Sequence, residues 1–380
     1  MIPHYDVAVV GMGIVGLAHA LAAARAGLKV VVIDREPAAR GASIRNFGFV
    51  TVSGQARGEM WGLARRTRDV WAEVAPQAGI AVDQAGLTVL AHRPEAEAVM
   101  QAFMETEMGE GCEILTPGAL ASRMDCEGLA PFRAALRSDH ELRVEPRLAL
   151  PALAAWLQQE QGVAFMPATA VTGCETGRLS TSRGEVRAEH IFICSGDDLS
   201  SLFPDVLTRH EVQRCKLQML RLAATGRRLA TPIMADLSLA RYEGYAALPE
   251  AEALMQRLRK ECGERLDAGV HLIAVQSADG SLVVGDSHEY GASPDPFQRL
   301  AMDELILDAL RESMPGYAAP VVERWIGFYA WSPREPWFTE EVLPGVHMTL
   351  VTCGAGMSSG FAIGERVVAA ATNNSMKGAA

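Results

Sequence analysis

Residues 5–35 read YDVAVVGMGIVGLAHALAAARAGLKVVVIDR. A Val-rich apolar run ends at Gly11, and Gly11, Gly13 and Gly16 give the spacing G-x-G-x-x-G. A stretch rich in Ala and Leu follows and stops at Gly27. A second apolar run, Lys29 to Ile33, ends at Asp34. Strand, glycine turn, helix, strand and acid stand in the order that a dinucleotide-binding unit needs. Gly11 permits the tight turn, Gly13 lets the backbone approach a pyrophosphate, and Gly16 lets the helix pack on the strand. The helix N-terminus offers free N–H groups and the positive end of its dipole to phosphates. Asp34 can accept hydrogen bonds from ribose hydroxyls. The competing reading is an ordinary buried strand–helix pair with glycines used for packing. The full context favours the dinucleotide site.

The bulk properties set limits around this unit. A chain of 380 residues is too long for one simple core and predicts two domains. Apolar residues make up 49% and charged ones 21%, as in ordinary soluble globular proteins. A net charge of −11 argues against a sequence-independent nucleic-acid binder, which needs a basic footprint. It also means that an anionic substrate must be held by a local group of basic and hydroxyl side chains. No apolar stretch is long enough for a membrane span, and the N-terminus lacks the pattern of a secretory signal. The cysteines are seven, scattered, and without a C-x-x-C pair, which predicts neither a disulfide framework nor a zinc site. A reduced, cytoplasmic setting is expected. The last residues, 371–380, read as a frayed tail.

Further along, residues 41–58 (GASIRNFGFVTVSGQARG) read as a glycine-rich loop, and 59–79 as a helix with Trp61, Leu63, Val70, Trp71 and Val74 on one face. Residues 86–91 read as a strand and 93–109 as a helix. A helix over 145–162 is followed by a short strand, 163–166. Residues 179–195 read as strand, turn and strand, ending at Ser195-Gly196 as a parallel core strand does where it meets a ligand. From 212 the pattern alternates, as in a half-buried antiparallel strand. Short strands at 270–275 and 281–285, a helix at 297–314 and a strand at 321–330 follow. A last strand, 347–356, runs into a glycine loop and a helix. The expected class is therefore α/β (α+β overall). A Rossmann-like dinucleotide domain (1–80, 140–212 and 331–380) interleaves with a mixed, largely antiparallel sheet domain (81–139 and 213–330).

This arrangement resembles the D-amino-acid oxidase/glycine oxidase/sarcosine oxidase family of flavoproteins over essentially the whole chain. The marks are GMGIVG with Asp34, the loop GASIRNFG, the strand IFICSG, the strand CKLQMLR and the C-terminal TCGAGMSSGF. Within the family, GASIRNFG, KLQMLR, RYEGY, GDSHEYG and ERWIGFYA resemble a branch associated with phosphonate breakdown, whose members are linked to oxidation of 2-aminoethylphosphonate or its N-methyl form. The resemblance implies one FAD, a substrate roof made by the mixed sheet, and removal of a hydride from a carbon that bears an amine. The resulting imine would hydrolyse to phosphonoacetaldehyde plus ammonia or methylamine, with O2 as electron acceptor and hydrogen peroxide as product. Sarcosine oxidases attach flavin through a cysteine on the strand that here reads WIGFYAWSP. No cysteine stands there, so FAD is expected to be non-covalent. Where relatives carry an arginine for a substrate carboxylate, this chain has Phe328-Tyr329-Ala330, which weakens the case for a plain α-amino acid.

The resemblance also implies a set of site residues. Gly11, Gly13, Ile14, Val15 and Gly16 would face the pyrophosphate, Asp34 the adenosine ribose, and Arg35 and Val171 the adenine end. Ser43, Arg45 and Asn46 lie on the loop near the pyrophosphate and the flavin ring, and Ser195 and Gly196 lie near the cofactor. Gly354, Gly356, Met357 and Ser358 open the last helix, whose N–H groups can stabilise negative charge on reduced flavin. For catalysis and substrate binding the choices are Arg45, Asn46, Lys216, Gln218, Arg241, Tyr242, His288 and Tyr329, with Arg241-Tyr242 as the favoured anion pair. Each admits a plainer reading. Arg45 could be a solvated loop charge, Lys216 a salt-bridge partner, His288 a satisfied core or surface residue, and Arg241-Tyr242 a strand edge. Two other functions stay open: oxidation of glycine, sarcosine or a D-amino acid, and a non-catalytic flavin-bound binding protein.

Overall fold

The computed structural model describes residues 2–378, with side chains through Thr372. Two sheets organise the chain. The first runs in the order Trp337–Leu343, Val346–Val351, Gly184–Ile193, His4–Val10, Val30–Ile33, Ala164–Met166. Its central strands are parallel, with His4–Val10 between Gly184–Ile193 and Val30–Ile33. The sequence explains this. Val7, Ala8, Val9 and Val30 to Ile33 are buried on both faces, as parallel strands between helical layers must be. Helix Ile14–Arg25 and the closing helix Gly356–Gly378 cover one face. They approach so closely that a Cβ on Gly364 would lie 2.8 Å from the Ala18 carbonyl carbon. The expected frayed tail enters this closing helix up to Gly378, and its last two residues lie outside the described ones.

The second sheet is mixed and largely antiparallel. Its long strands are Val82–Ala91, Ala134–Val144, Gln213–Leu222 and Val321–Trp331. Ala134–Val144 crosses residue 140 and stays in this sheet along its full length, and Phe49–Val50 from the N-terminal part of the chain pairs with it. The sequence reading had no strand at 134–144, no strand at Trp337–Leu343 and no helix at Ala251–Asp267. It also drew the helix at 93–109 too long: the helix ends at Met104, and a 3-10 turn covers Glu107–Gly109.

One buried ion cluster ties the second sheet to the loop after residue 41. Arg143 is fully buried. It pairs with Asp83 and with Glu145 (2.8 Å), and donates to Ser277 Oγ (3.1 Å) and the Phe47 carbonyl (3.1 Å). Replacing it by methionine leaves two carboxylates without their shared cation. Arg143→Met is therefore expected to lower stability by about 3–5 kcal/mol, while cutting the exposed pair Arg25–Glu73 changes it by under about 1 kcal/mol. Chemical denaturation of both variants checks the contrast.

Candidate functional site

The two sheets enclose a cavity of about 440 Å³ that starts at the glycine turn and ends under the second sheet. At its near end the glycines do what their spacing requires. Gly11 has φ +112°, and a Cβ there would lie 2.3 Å from the Cys194 carbonyl oxygen. A Cβ on Gly16 would lie 2.0 Å from the Gly11 carbonyl oxygen. Helix Ile14–Arg25 begins after Gly13 with no side-chain cap, and the Ile14 N–H donates to Ser43 Oγ at 2.9 Å. Asp34 accepts from the backbone N–H of Met12 (2.6 Å) and of Glu36 (2.8 Å). Each carboxylate oxygen keeps a lone pair for a ribose hydroxyl.

The loop after residue 41 forms one side wall. Arg45 lines the cavity, with its guanidinium 3.5 Å from the Ile326 carbonyl and its own carbonyl accepting from Trp325 Nε1 at 3.1 Å. Asn46 is committed to its own turn: its amide donates to Ala42 O (2.8 Å) and accepts from Gly48 N–H (2.6 Å). Opposite, Gly354 (φ +77°) packs against the ring of Tyr329, where a Cβ would lie 3.1 Å from Cζ. The closing helix starts at Gly356. Ser358 Oγ accepts the Thr51 N–H at 2.8 Å, and the Met357 carbonyl accepts Trp71 Nε1 at 3.0 Å. The helix start is thereby fixed to both neighbouring segments.

The far end is a roof of aromatic and charged groups. Arg241, Tyr242, His271, Asp286, His288, Tyr290 and Tyr329 all line it. The Arg241 guanidinium donates to Tyr290 Oη at 2.8 Å and has no carboxylate within ion-pair distance among the described residues. Burial lowers His288 to about 3 and lowers His271 as well, so both rings are neutral. Burial acts to raise Asp286, but the adjoining His288 and His271 rings and the Arg241 guanidinium outweigh it, and the carboxylate stays ionised.

Two of the expected substrate residues, Lys216 and Gln218, lie outside the cavity. Lys216 and Gln218 sit on the opposite face of strand Gln213–Leu222, because side chains alternate and Leu217 takes the cavity side. Lys216 Nζ pairs with Asp295 (2.7 Å) and Glu289 (3.5 Å), and Gln218 bonds Asp303 (2.7 Å) and the Arg299 backbone. Neither reaches the cavity. Arg35 bridges to Asp198 at 2.7 Å on the surface. Val171 opens a half-buried strand beyond the segment that runs beside Asp34, where Thr169 N–H donates to the Asp34 carbonyl. The sequence reading missed His271, Asp286, Tyr290 and Cys353. An acid directly after the apolar strand LVVG was the available signal for Asp286; His271 carried none.

The cavity suits a long, two-ended cofactor. Its glycine end offers backbone without side chains. Its middle is walled by Phe47, Met60 and Met357. Ser195 Oγ next to it is buried without a partner among the described residues. These features define a dinucleotide-binding oxidoreductase of the flavin type. The family profile described as "FAD dependent oxidoreductase" (DAO) matches residues 6–370. The chain belongs to this DAO family and is an FAD-dependent oxidoreductase.

No curated protein matches the chain by sequence at a significant level. Solved structures are similar in fold. Glycine oxidase from Geobacillus kaustophilus gives a TM-score of 0.77 at 19% identity, with 98% of this chain and 95% of that one covered. L-proline dehydrogenase from P. horikoshii gives 0.79 at 17%, with 98% and 95% covered. L-alpha-glycerophosphate oxidase from Mycoplasma pneumoniae, with FAD bound, gives 0.73 at 14%, with 98% and 94% covered. No helix among the described residues is long and apolar enough to cross a membrane.

Cys353 is the one cavity-lining thiol that could attach a flavin, apart from Cys194 beneath the glycine turn. Its side chain is exposed on the cavity wall, and desolvation by the surrounding protein pushes its pKa up to about 11. At neutral pH it is a thiol and a poor nucleophile. Acid precipitation of the yellow protein is expected to release all flavin into the supernatant; a yellow pellet would contradict this.

Proposed function

We propose that this enzyme oxidises a small anionic amine, 2-aminoethylphosphonate or its N-methyl form, to phosphonoacetaldehyde. The observation that carries the reading is Arg241. It is a cation facing the cavity with no carboxylate within ion-pair distance among the described residues, and it stands beside Tyr242, Tyr290 and Tyr329. A guanidinium with free donors, flanked by hydroxyls, is suited to a phosphonate. The resemblance of GASIRNFG, KLQMLR, RYEGY and GDSHEYG to the phosphonate branch supports the same choice.

Bound FAD supplies the hydride acceptor for the carbon that bears the amine. The chain's own residues do the rest. Arg241 and the tyrosine hydroxyls hold the anionic head and so fix the distance of the amine carbon from the cavity floor. Phe47, Leu217 and Met357 line the cavity with apolar surface. Arg45 and the N–H groups at the start of the closing helix offset negative charge on the reduced cofactor. The amine reacts uncharged, and the product imine takes up water to give the aldehyde and ammonia or methylamine. O2 takes the electrons and leaves as hydrogen peroxide.

A second reading, oxidation of glycine or sarcosine, is favoured by the fold likeness to a protein named glycine oxidase. Product analysis separates the two. Incubation with each amine in air is expected to give aldehyde and peroxide in equal amounts from the aminophosphonates. Turnover of glycine or sarcosine alone would transfer the assignment to the second reading.

A further inference from the structure

Two imidazoles and a carboxylate meet in the cavity roof. His288 Nδ1 lies 2.9 Å from the Gly269 carbonyl oxygen. A carbonyl only accepts, so Nδ1 carries the ring proton and Nε2 presents a lone pair. Ser238 Oγ lies 2.7 Å from the Leu272 carbonyl, which takes its single hydroxyl proton. His271 Nδ1 lies 3.3 Å from the same Oγ, which leaves Nε2 as the atom that this ring turns toward Asp286. Both Nε2 atoms face Asp286, His271 Nε2 at 3.0 Å from Oδ1 and His288 Nε2 at 3.8 Å from Oδ2. Oδ1 is buried and accepts no hydrogen bond among the described residues. Two imidazole nitrogens and a carboxylate aimed at one another in a buried place form a donor set that a cation can fill.

We propose that His271, Asp286 and His288 bind one divalent metal ion of the zinc class in the roof of the flavin cavity. The three ligand atoms all lie within 4.8 Å of one another. Tetrahedral zinc with bonds of about 2.1 Å sets neighbouring ligands about 3.4 Å apart, and each imidazole approaches one oxygen of the carboxylate within a few tenths of an ångström of that spacing, His271 at Oδ1 and His288 at Oδ2. Both rings turn Nε2 toward the carboxylate and hold Nδ1 at an oxygen, the Gly269 carbonyl for His288 and the Ser238 hydroxyl for His271. The site is also rigid: strands Ile273–Gln276 and Leu282–Gly285 pair just beyond it, and Ile273 stands opposite Gly285. Two nitrogens and one carboxylate leave a coordination position open, and all three residues line the cavity.

The ion has a use there. Arg241 brings one positive charge to the roof, whereas a phosphonate head carries up to two negative ones. A metal with an open position supplies the missing charge and accepts a phosphonate oxygen. This use rests on the aminophosphonate reading; the metal site itself does not.

The test is zinc uptake by tag-free holoenzyme that has been stripped with chelator, incubated with zinc chloride and desalted. Wild type is expected to retain about one zinc per chain. Asp286→Asn, close in shape to the native residue, and His271→Ala are each expected to lose it while keeping their FAD. Cobalt in place of zinc should give ligand-field bands in the wild type that Asp286→Asn lacks. Failure of the wild type to retain zinc, or equal retention by Asp286→Asn, would overturn the proposal. Zinc is counted without substrate, so this outcome is independent of which amine the enzyme oxidises.

Discussion

Gly16→Ala is expected to yield a protein that purifies with little yellow colour. The added Cβ would sit 2.0 Å from the Gly11 carbonyl oxygen and 3.3 Å from Val9 Cγ1. Both neighbours belong to the strand and turn that hold the helix in place, so no flexible side chain can move aside. The helix must lift off the strand, and its N-terminal N–H groups leave the pyrophosphate position. Overpacking of this kind costs about 1–3 kcal/mol even before the lost phosphate contacts are counted, so flavin content should fall roughly tenfold or more. Gly62→Ala is the matched control. It lies within helix Glu59–Gln77 with nothing within 4 Å of the added atom, and it should keep full flavin and gain up to about 1 kcal/mol in stability. The ratio of flavin to protein absorbance reads both. A fully yellow Gly16→Ala would show that the turn does not carry the cofactor.

Arg241→Ala is expected to raise KM for the aminophosphonate while leaving FAD bound. Hydrogen bonds to charged groups contribute about 1.5–3 kcal/mol, which corresponds to a rise of roughly 10- to 150-fold. The change should fall mainly on KM, because Arg241 holds the head of the substrate in ground and transition states alike. Arg241→Lys should recover only part of the loss, since an ammonium lacks the two-pronged geometry and reaches Tyr290 differently. An unchanged KM in Arg241→Ala would remove Arg241 from substrate binding and, with it, the main support for an anionic substrate.

The glycine turn was legible because close backbone contact leaves no choice of residue. Gly11 and Gly16 cannot carry a Cβ, and that need appears directly as spacing. The parallel strands were legible for a similar reason, since burial on both faces demands unbroken apolar runs. Strand Ala134–Val144 was not, because Arg143, His140 and Glu141 are buried in it and interrupt the apolar pattern. Helix Ala251–Asp267 buries only Ala251, Leu254 and Leu258, too narrow a stripe to stand out among its charges.

The roof was only half legible. Arg241 and Tyr242 are adjacent in the chain, and His288 and Tyr290 share one short motif. The association of His271 with Asp286 comes from strand pairing across a turn, which no spacing in the sequence displays. Lys216 and Gln218 were misplaced because strand Gln213–Leu222 is buried on both faces, so its alternation does not say which face meets the cavity.

The most direct measurement is anaerobic titration of the holoenzyme with 2-aminoethylphosphonate, its N-methyl form, glycine and sarcosine, followed through the visible flavin band. The account predicts that an aminophosphonate bleaches the flavin completely and that glycine and sarcosine do so slowly or not at all. Full bleaching by glycine or sarcosine, with no response to either phosphonate, would contradict it.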